Sequence, residues 1–286
     1  MNRLARLCFL VLSTTAAFAQ NWPSFRGPEA SGVADGAGPP VSWDAVKSVN
    51  VRWKTAIPGL AHSSPVVWGD RIFVTSAVSS DPKSEFGPRM EMAMEPAKDA
   101  SVHSWRVYCL DKNTGKILWE RTAYTGVPKT KRHVTGSHAS ATPVTDGRVV
   151  VTFFASEGLY AYDFNGKLLW KQDLGLINPG FLYDPDFEWG AASSPILHKN
   201  LVIVQCDKQK DSFIAAYDLK DGRRVWLTPR DEVCTWSTPT VHQGKSRAEL
   251  IAAGRNIRAY DPTTGEQLWK LSGSAEYSIA TPIVAN

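Results

Sequence analysis

The sequence predicts an all-β fold, a propeller of four-stranded blades, and three observations predict it. A hairpin signal ending in Gly and followed by Trp occurs four times. A phrase of Ser or Ala, then Ser or Thr, then Pro occurs five times. Successive prolines of that phrase lie 78, 52, 44 and 43 residues apart, so the unit is about 43 residues plus insertions, the length of a propeller blade.

The hairpin signal runs from Tyr108 through Asp111-Lys112-Asn113-Thr114-Gly115 to Trp119. It returns at Ala216-Tyr217-Asp218 through Gly222 to Trp226, and at Ala259-Tyr260-Asp261 through Gly265 to Trp269. A copy one residue shorter spans Ala161-Tyr162-Asp163, Gly166 and Trp170. The Asp side chain can accept backbone N–H bonds, and Gly supplies the positive φ that closes the turn. The indole that follows is predicted to lie between neighbouring blades and bury ~150–250 Å². At ~25 cal/mol per Å² that is several kcal/mol per junction, as an upper bound. Trp53, Trp119, Trp170, Trp226 and Trp269 are therefore read as structural.

The second phrase, Ser63-Ser64-Pro65, Ala141-Thr142-Pro143, Ser193-Ser194-Pro195, Ser237-Thr238-Pro239 and Ala280-Thr281-Pro282, opens each unit. Four strands follow it, approximately 64–67, 71–76, 104–110 and 117–121 in the first complete unit. Val149-Val150-Val151 and Leu201-Val202-Ile203-Val204 are continuous apolar runs, as expected of strands covered on both faces.

Residues 1–19 read as a secretory signal peptide. Arg3 and Arg6 precede an apolar run too short to span a bilayer, and Ala17-Phe18-Ala19 is a small-x-small cleavage site, with the cut expected after Ala19. A periplasmic or secreted protein without a transmembrane segment is expected. Residues 20–50 are an N-terminal extension, and 51–286 a partial propeller. The mature chain carries a formal charge of about +2, which gives no warrant for a nucleic-acid partner. Cys109, Cys206 and Cys234 imply no disulfide framework, although one pair could form on export.

The Ala-x-Asp-x-x-Thr-Gly-x-x-x-Trp pattern resembles the tryptophan-docking signature of the quinoprotein-type propeller repeats, found in pyrroloquinoline quinone (PQQ) dehydrogenases and, more distantly, in BamB-like scaffold proteins. The phrases Asn21-Trp22-Pro23-Ser24-Phe25-Arg26-Gly27-Pro28, Gln205-Cys206-Asp207 and Thr228-Pro229-Arg230-Asp231-Glu232 are similar to segments of exported PQQ-like repeat proteins. The resemblance implies a seven- or eight-bladed ring. Val51-Arg52-Trp53-Lys54 looks like the last line of a repeat, and four complete units do not fill such a ring. The expectation is thus a C-terminally truncated ring, with roughly 130–180 residues in three or four further units.

If the strands of a blade are A to D from the axis outward, the long insertions Ala77–His103, Thr122–His138 and Gln172–Ala192 are B–C and D–A connections and leave on one face. Long loops on a rigid scaffold are where binding residues gather. The candidates are His133, His138, Tyr183, Asp184, Asp186, Glu188, Trp189, Arg230, Asp231, Glu232 and Trp236. Trp189 and Trp236, each just before strand A, are the expected anchors for a flat or sugar-like ligand; loop solubility and core contacts are the competing reading. Met90, Met92 and Met94 are read as rim packing, although thioethers would suit Cu(I). No adjacent Cys pair, Gly-x-Ser-x-Gly or His-Glu-x-x-His occurs. The expected function is a non-catalytic binding or scaffold module for an envelope protein or small ligand, with no cofactor. The alternative is a PQQ-dependent oxidoreductase using PQQ with calcium.

Overall fold

The computed structural model describes residues 21–34, 38–87 and 94–284; the expected signal peptide lies outside them. Four antiparallel meanders follow one another along the chain. Blade 1 holds β1 (Val66–Trp68), β2 (Arg71–Ser79), β3 (His103–Asp111) and β4 (Ile117–Gly126). Blade 2 holds β5 (Val144–Thr145), β6 (Val149–Phe153), β7 (Leu159–Asp163) and β8 (Leu168–Gln172). Blade 3 holds β9 (Ile196–His198), β10 (Leu201–Cys206), β11 (Phe213–Asp218) and β12 (Arg224–Pro229). Blade 4 holds β13 (Thr240–Gln243), β14 (Ala248–Ala252), β15 (Asn256–Tyr260) and β16 (Gln267–Ser272). The propeller fold read from the sequence is the fold observed. The first blade differs in detail: β2 and β4 run on to Ser79 and Gly126, so part of each expected insertion is strand.

The core lies between the blades. One cluster joins blades 1 and 2, a second blades 2 and 3, a third blades 3 and 4. The middle strands of blades 2 and 3 are buried on both faces, with every residue of β10 buried, as its apolar run Leu201–Val204 requires. Outer strands are solvated except at the indole: Trp119, Trp170 and Trp226 are 8%, 7% and 8% exposed. Each lies on the turn glycine of the next blade. A Cβ on Gly222 would stand 2.6 Å from the Trp170 ring, so this turn needs Gly for clearance as well as for its φ of +75°. The indole N–H of Trp53 donates to Lys112 O (2.8 Å), that of Trp119 to Phe164 O (2.9 Å), Trp170 to Leu219 O (2.9 Å) and Trp226 to Pro262 O (3.2 Å). Trp269 instead donates to Glu249 of its own blade and is half-buried.

Two further periodic bonds accompany the indoles. The residue two places after Trp grips the same glycine: Thr55, Arg121 and Thr228 donate to the carbonyls of Gly115, Gly166 and Gly265. The hydroxyl before each proline links blade to blade. Ser64 N–H donates to Thr142 Oγ1, Thr142 N–H to Ser194 Oγ, and Ser194 N–H to Thr238 Oγ1, all at 2.9–3.0 Å. The Ser/Thr-Pro phrase is thus an inter-blade clasp at the start of the inner strand.

The repeat reaches further back than Val51. Asp44 Oδ1 accepts N–H bonds from Val46 and Lys47, the offsets at which Asp111 serves Asn113 and Thr114. Asp44 N–H donates to Val49 O as Asp111 N–H donates to Lys116 O. Ser48, at φ +57°, holds the place of the turn glycine, and Asn50 adds a residue before Trp53. Residues 44–53 are a diverged copy of the blade turn, with Val49 where the four blades carry Lys116, Lys167, Arg223 and Glu266.

Candidate functional site

The D–A loops carry rings that meet. Trp189 and Trp236 lie 5.8 Å apart at 33°, and Tyr277 packs against both at 6.0 and 6.2 Å. Phe181 packs on Trp189 at 5.9 Å, tilted by 37°. Trp189, Trp236 and Tyr277 come from three successive D–A loops, so the cluster forms where those loops enter the inner strands. Their polar atoms anchor the loops: Trp189 N–H donates to Met94 O (2.7 Å) and Trp236 N–H to Gly190 O (2.6 Å). Tyr277 accepts Leu182 N–H at 3.0 Å. All three rings are half-buried, and Tyr183 beside them is exposed. Of the methionines, Met90 and Met92 lie outside the described residues, and Met94 supplies the carbonyl to Trp189.

The charged candidates take other positions. Arg230 is fully buried and holds Asp207 through two bonds, Nε to Oδ1 at 2.7 Å and Nη2 to Oδ2 at 3.1 Å. Its third nitrogen donates to the Tyr260 hydroxyl at 2.8 Å. Burial alone would lower the Arg230 pKa; the Asp207 charge and hydrogen bonds outweigh it and raise it. Asp207 also accepts from Gln205 and from Thr235, the residue before Trp236. Glu232 pairs with Arg258 (3.1 Å) and Asn256 (3.0 Å), while Arg258 donates to Asp231 O. Arg230 and Glu232 thus join blade 3 to blade 4 beneath the loop that bears Trp236. Glu188 accepts Lys131 N–H at 2.8 Å, and Asp184 accepts the N–H of Asp186, which is itself exposed.

His133 and His138 sit on the first D–A loop. His133 N–H donates to Trp189 O, and its ring meets the indole edge-on at 6.0 Å. His138 packs edge-on against His103 at 5.2 Å, below a loop that also holds Arg132. His103 is buried, with Nδ1 facing Ser101 O and Nε2 facing Asp99 at 3.3 Å. Burial first, then the charges of His103 and Arg132, drive the His138 pKa down to about 3. A depressed histidine leaves stability intact above the unfolded value of 6.5, and removes it as pH falls toward the folded value. The expected loss is about 1.4 kcal/mol per pH unit below that point. Urea midpoints between pH 6.5 and 4.5 should fall by more for the wild type than for His138→Gln; parallel slopes would contradict the assignment.

Sequence reading gives no place to Tyr277 and Asp99, and singles out Asp207 only within the Gln205-Cys206-Asp207 phrase, without a site role. It also gave no role to the Asn21–Pro28 phrase, which occupies the opposite end of the propeller. Trp22 exchanges both backbone hydrogen bonds with Val67 at 2.8 Å, Thr145 N–H donates to Pro23 O at 2.9 Å, and Pro28–Ala30 packs on β13. This segment walls a cavity of about 610 Å³ with the inner strands. Its proximity to the short A–B turns places it away from the long loops.

A PQQ–calcium site needs several oxygen ligands around one point. Here Asp207 faces Arg230, Glu232 faces Arg258, Glu188 faces Lys131, and among the described residues no three His, Cys, Asp or Glu side chains form a metal-holding group. These residues do not fit that group. Cys109, Cys206 and Cys234 are buried and unpaired. Among the described residues no helix is long and apolar enough to cross a membrane.

Comparison with known proteins agrees with this architecture. Residues 103–284 match the family model described as outer membrane protein assembly factor BamB. The quinohemoprotein alcohol dehydrogenase of Comamonas testosteroni superposes with a TM-score of 0.54 at 16% identity, covering 91% of this chain and 42% of that one. BamB of Moraxella catarrhalis gives 0.46 at 17% identity, over 80% of this chain and 56% of that one. A europium-containing methanol dehydrogenase gives 0.47 at 16%, over 77% and 43%. The chain therefore spans about half the length of these structures. No curated protein sequence matches it. The matched region and the four indole-docked blades together make this chain a member of the BamB-like family of PQQ-type repeat β-propellers.

Proposed function

We propose that this chain is an exported, non-catalytic binding module of the cell envelope, which engages a flat or sugar-like ligand, or a protein partner, through its long-loop face. One observation carries the reading. Aromatic rings from three successive D–A loops converge, while Arg230, Glu232 and Glu188 spend their charged atoms on loop and inter-blade bonds. A half-exposed aromatic cluster with fixed geometry suits adhesion to a planar or pyranose face more than proton transfer. The family relation to an assembly factor is consistent with a protein partner, and export with the leader read over residues 1–19.

The test is intrinsic fluorescence of the full chain titrated with soluble envelope oligosaccharides, alongside capture of envelope proteins on the immobilised chain. Trp189→Ala and Trp236→Ala should each abolish the saturable signal while circular dichroism stays unchanged. Unaltered binding in both variants would count against the aromatic anchor. Dye-linked oxidation of alcohols or sugars after addition of PQQ and calcium would replace this reading with the oxidoreductase one.

A further inference from the structure

Arg132, on the loop between β4 and β5, is 3% exposed. Its Nη1 donates to the carbonyls of Gly136 (2.9 Å), Val134 (3.2 Å) and His133 (3.4 Å), and Nη2 to Glu85 O (3.1 Å). Its Nε is buried and has no hydrogen-bond partner. Among the described residues no carboxylate forms an ion pair with it. A guanidinium removed from water without a counter-charge is costly, and carbonyl dipoles compensate only part of that cost. Desolvation accordingly lowers its pKa, against the more distant Asp99.

Arg230 shows in the same molecule what the unpartnered Nε–H, with the second N–H of Nη2, is suited to hold. There Nε and Nη2 grip both oxygens of Asp207, the bidentate geometry in which arginine recognises carboxylates. Arg132 lines a cleft of about 260 Å³ between the B–C and D–A loops of blade 1, with Lys83 and Lys98 exposed on its rim. The acidic residues of that cleft are differently placed. Asp99 is taken by His103, Ser84 and Ser101, Asp81 caps Lys83 N–H, and the exposed Glu85 meets Arg132 through its main chain.

We propose that the Nε–Nη2 edge of Arg132 is a carboxylate-binding subsite, which takes the anionic end of a ligand held on the long-loop face. The inference rests on the proposed function for the face it names, and its own chemistry is independent of the aromatic cluster. A bound carboxylate would supply the counter-charge that the described residues lack, and would tie the B–C loop to the D–A loop through one guanidinium.

The Arg132 Nε–H resonance of the 15N-labelled full chain, assigned by its loss in Arg132→Lys, reports directly on this edge. Succinate added at constant ionic strength should shift it saturably and leave the Arg230 Nε–H in place. The succinate-dependent rise in Tm should be at least about tenfold weaker in Arg132→Lys, which keeps the charge and loses the edge. An unmoved resonance, or equal Tm gains in both proteins, would overturn the subsite. A shift by phosphate as large as that by succinate would overturn the carboxylate assignment. Trp189→Ala and Trp236→Ala should retain the succinate shift, so loss of the aromatic site and loss of this subsite are told apart.

Discussion

Replacing Trp170 with alanine should lower the unfolding free energy of the full chain by about 3–5 kcal/mol, the usual cost of deleting a buried aromatic side chain. Trp269→Ala, chemically the same change, should cost about 1 kcal/mol. The difference arises from what the indole touches. Trp170 is 7% exposed, lies on Gly222, and bonds Leu219 O in the next blade. Trp269 is half-buried and bonds Glu249 within its own blade. Urea midpoints at one pH give both values. The same experiment on Gly222→Ala adds the reciprocal test, because a Cβ there would meet the ring at 2.6 Å on a backbone already at φ +75°. In a double-mutant cycle the two changes should couple strongly, since removal of the ring relieves the clash. Equal losses at Trp170 and Trp269 would show that the indoles stabilise their own strands and not the junctions.

How far the sequence discloses such features depends on whether they repeat. The turn glycine and the indole recur at a constant offset of four residues, so Trp119, Trp170 and Trp226 are legible as junction residues from the sequence alone. The diverged turn at Asp44 is hidden in the letters because Ser48 replaces the glycine and Asn50 lengthens the approach to Trp53 by one residue. Its identity lies in hydrogen-bond offsets, which letters alone do not display. Trp189 and Trp236 can be picked out because each is a tryptophan shortly before a Ser/Thr-Pro phrase. Tyr277 also precedes such a phrase, Thr281-Pro282, but a tyrosine there carries no comparable signal. The Gln205-Cys206-Asp207 and Arg230-Asp231-Glu232 phrases were visible separately. That one neutralises the other follows from β10 and β12 flanking β11, which puts their ends on the same edge of the sheet, and no periodicity encodes that meeting. Arg132 sits in a run of basic residues that reads as a solvated loop, yet its guanidinium is folded inward among carbonyls.

Asp207→Asn should cost about 3–5 kcal/mol, as breaking one partner of a buried ion pair does. The amide is nearly isosteric, so packing barely changes. It can still accept the hydroxyl of Thr235, but it can accept only one strong bond from Arg230 and carries no charge to balance it. The guanidinium is left at 0% side-chain exposure with the Tyr260 hydroxyl as its hydrogen-bond partner and the charge of Glu232 nearby. Replacing both partners, Asp207→Leu with Arg230→Met, removes the stranded charge and should cost less than the single change, even though Gln205, Thr235 and Tyr260 each lose a partner. Urea midpoints of the single and double variants decide the order. A single variant within about 1 kcal/mol of wild type would mean that water or a neighbouring acid reaches Arg230. The consequence also extends to the ligand face. Thr235 is fixed by Asp207, and Trp236 follows it, so the pair that joins blades 3 and 4 also sets where one wall of the aromatic cluster stands. A variant that keeps the blades together but frees Thr235 should weaken oligosaccharide binding without touching either indole.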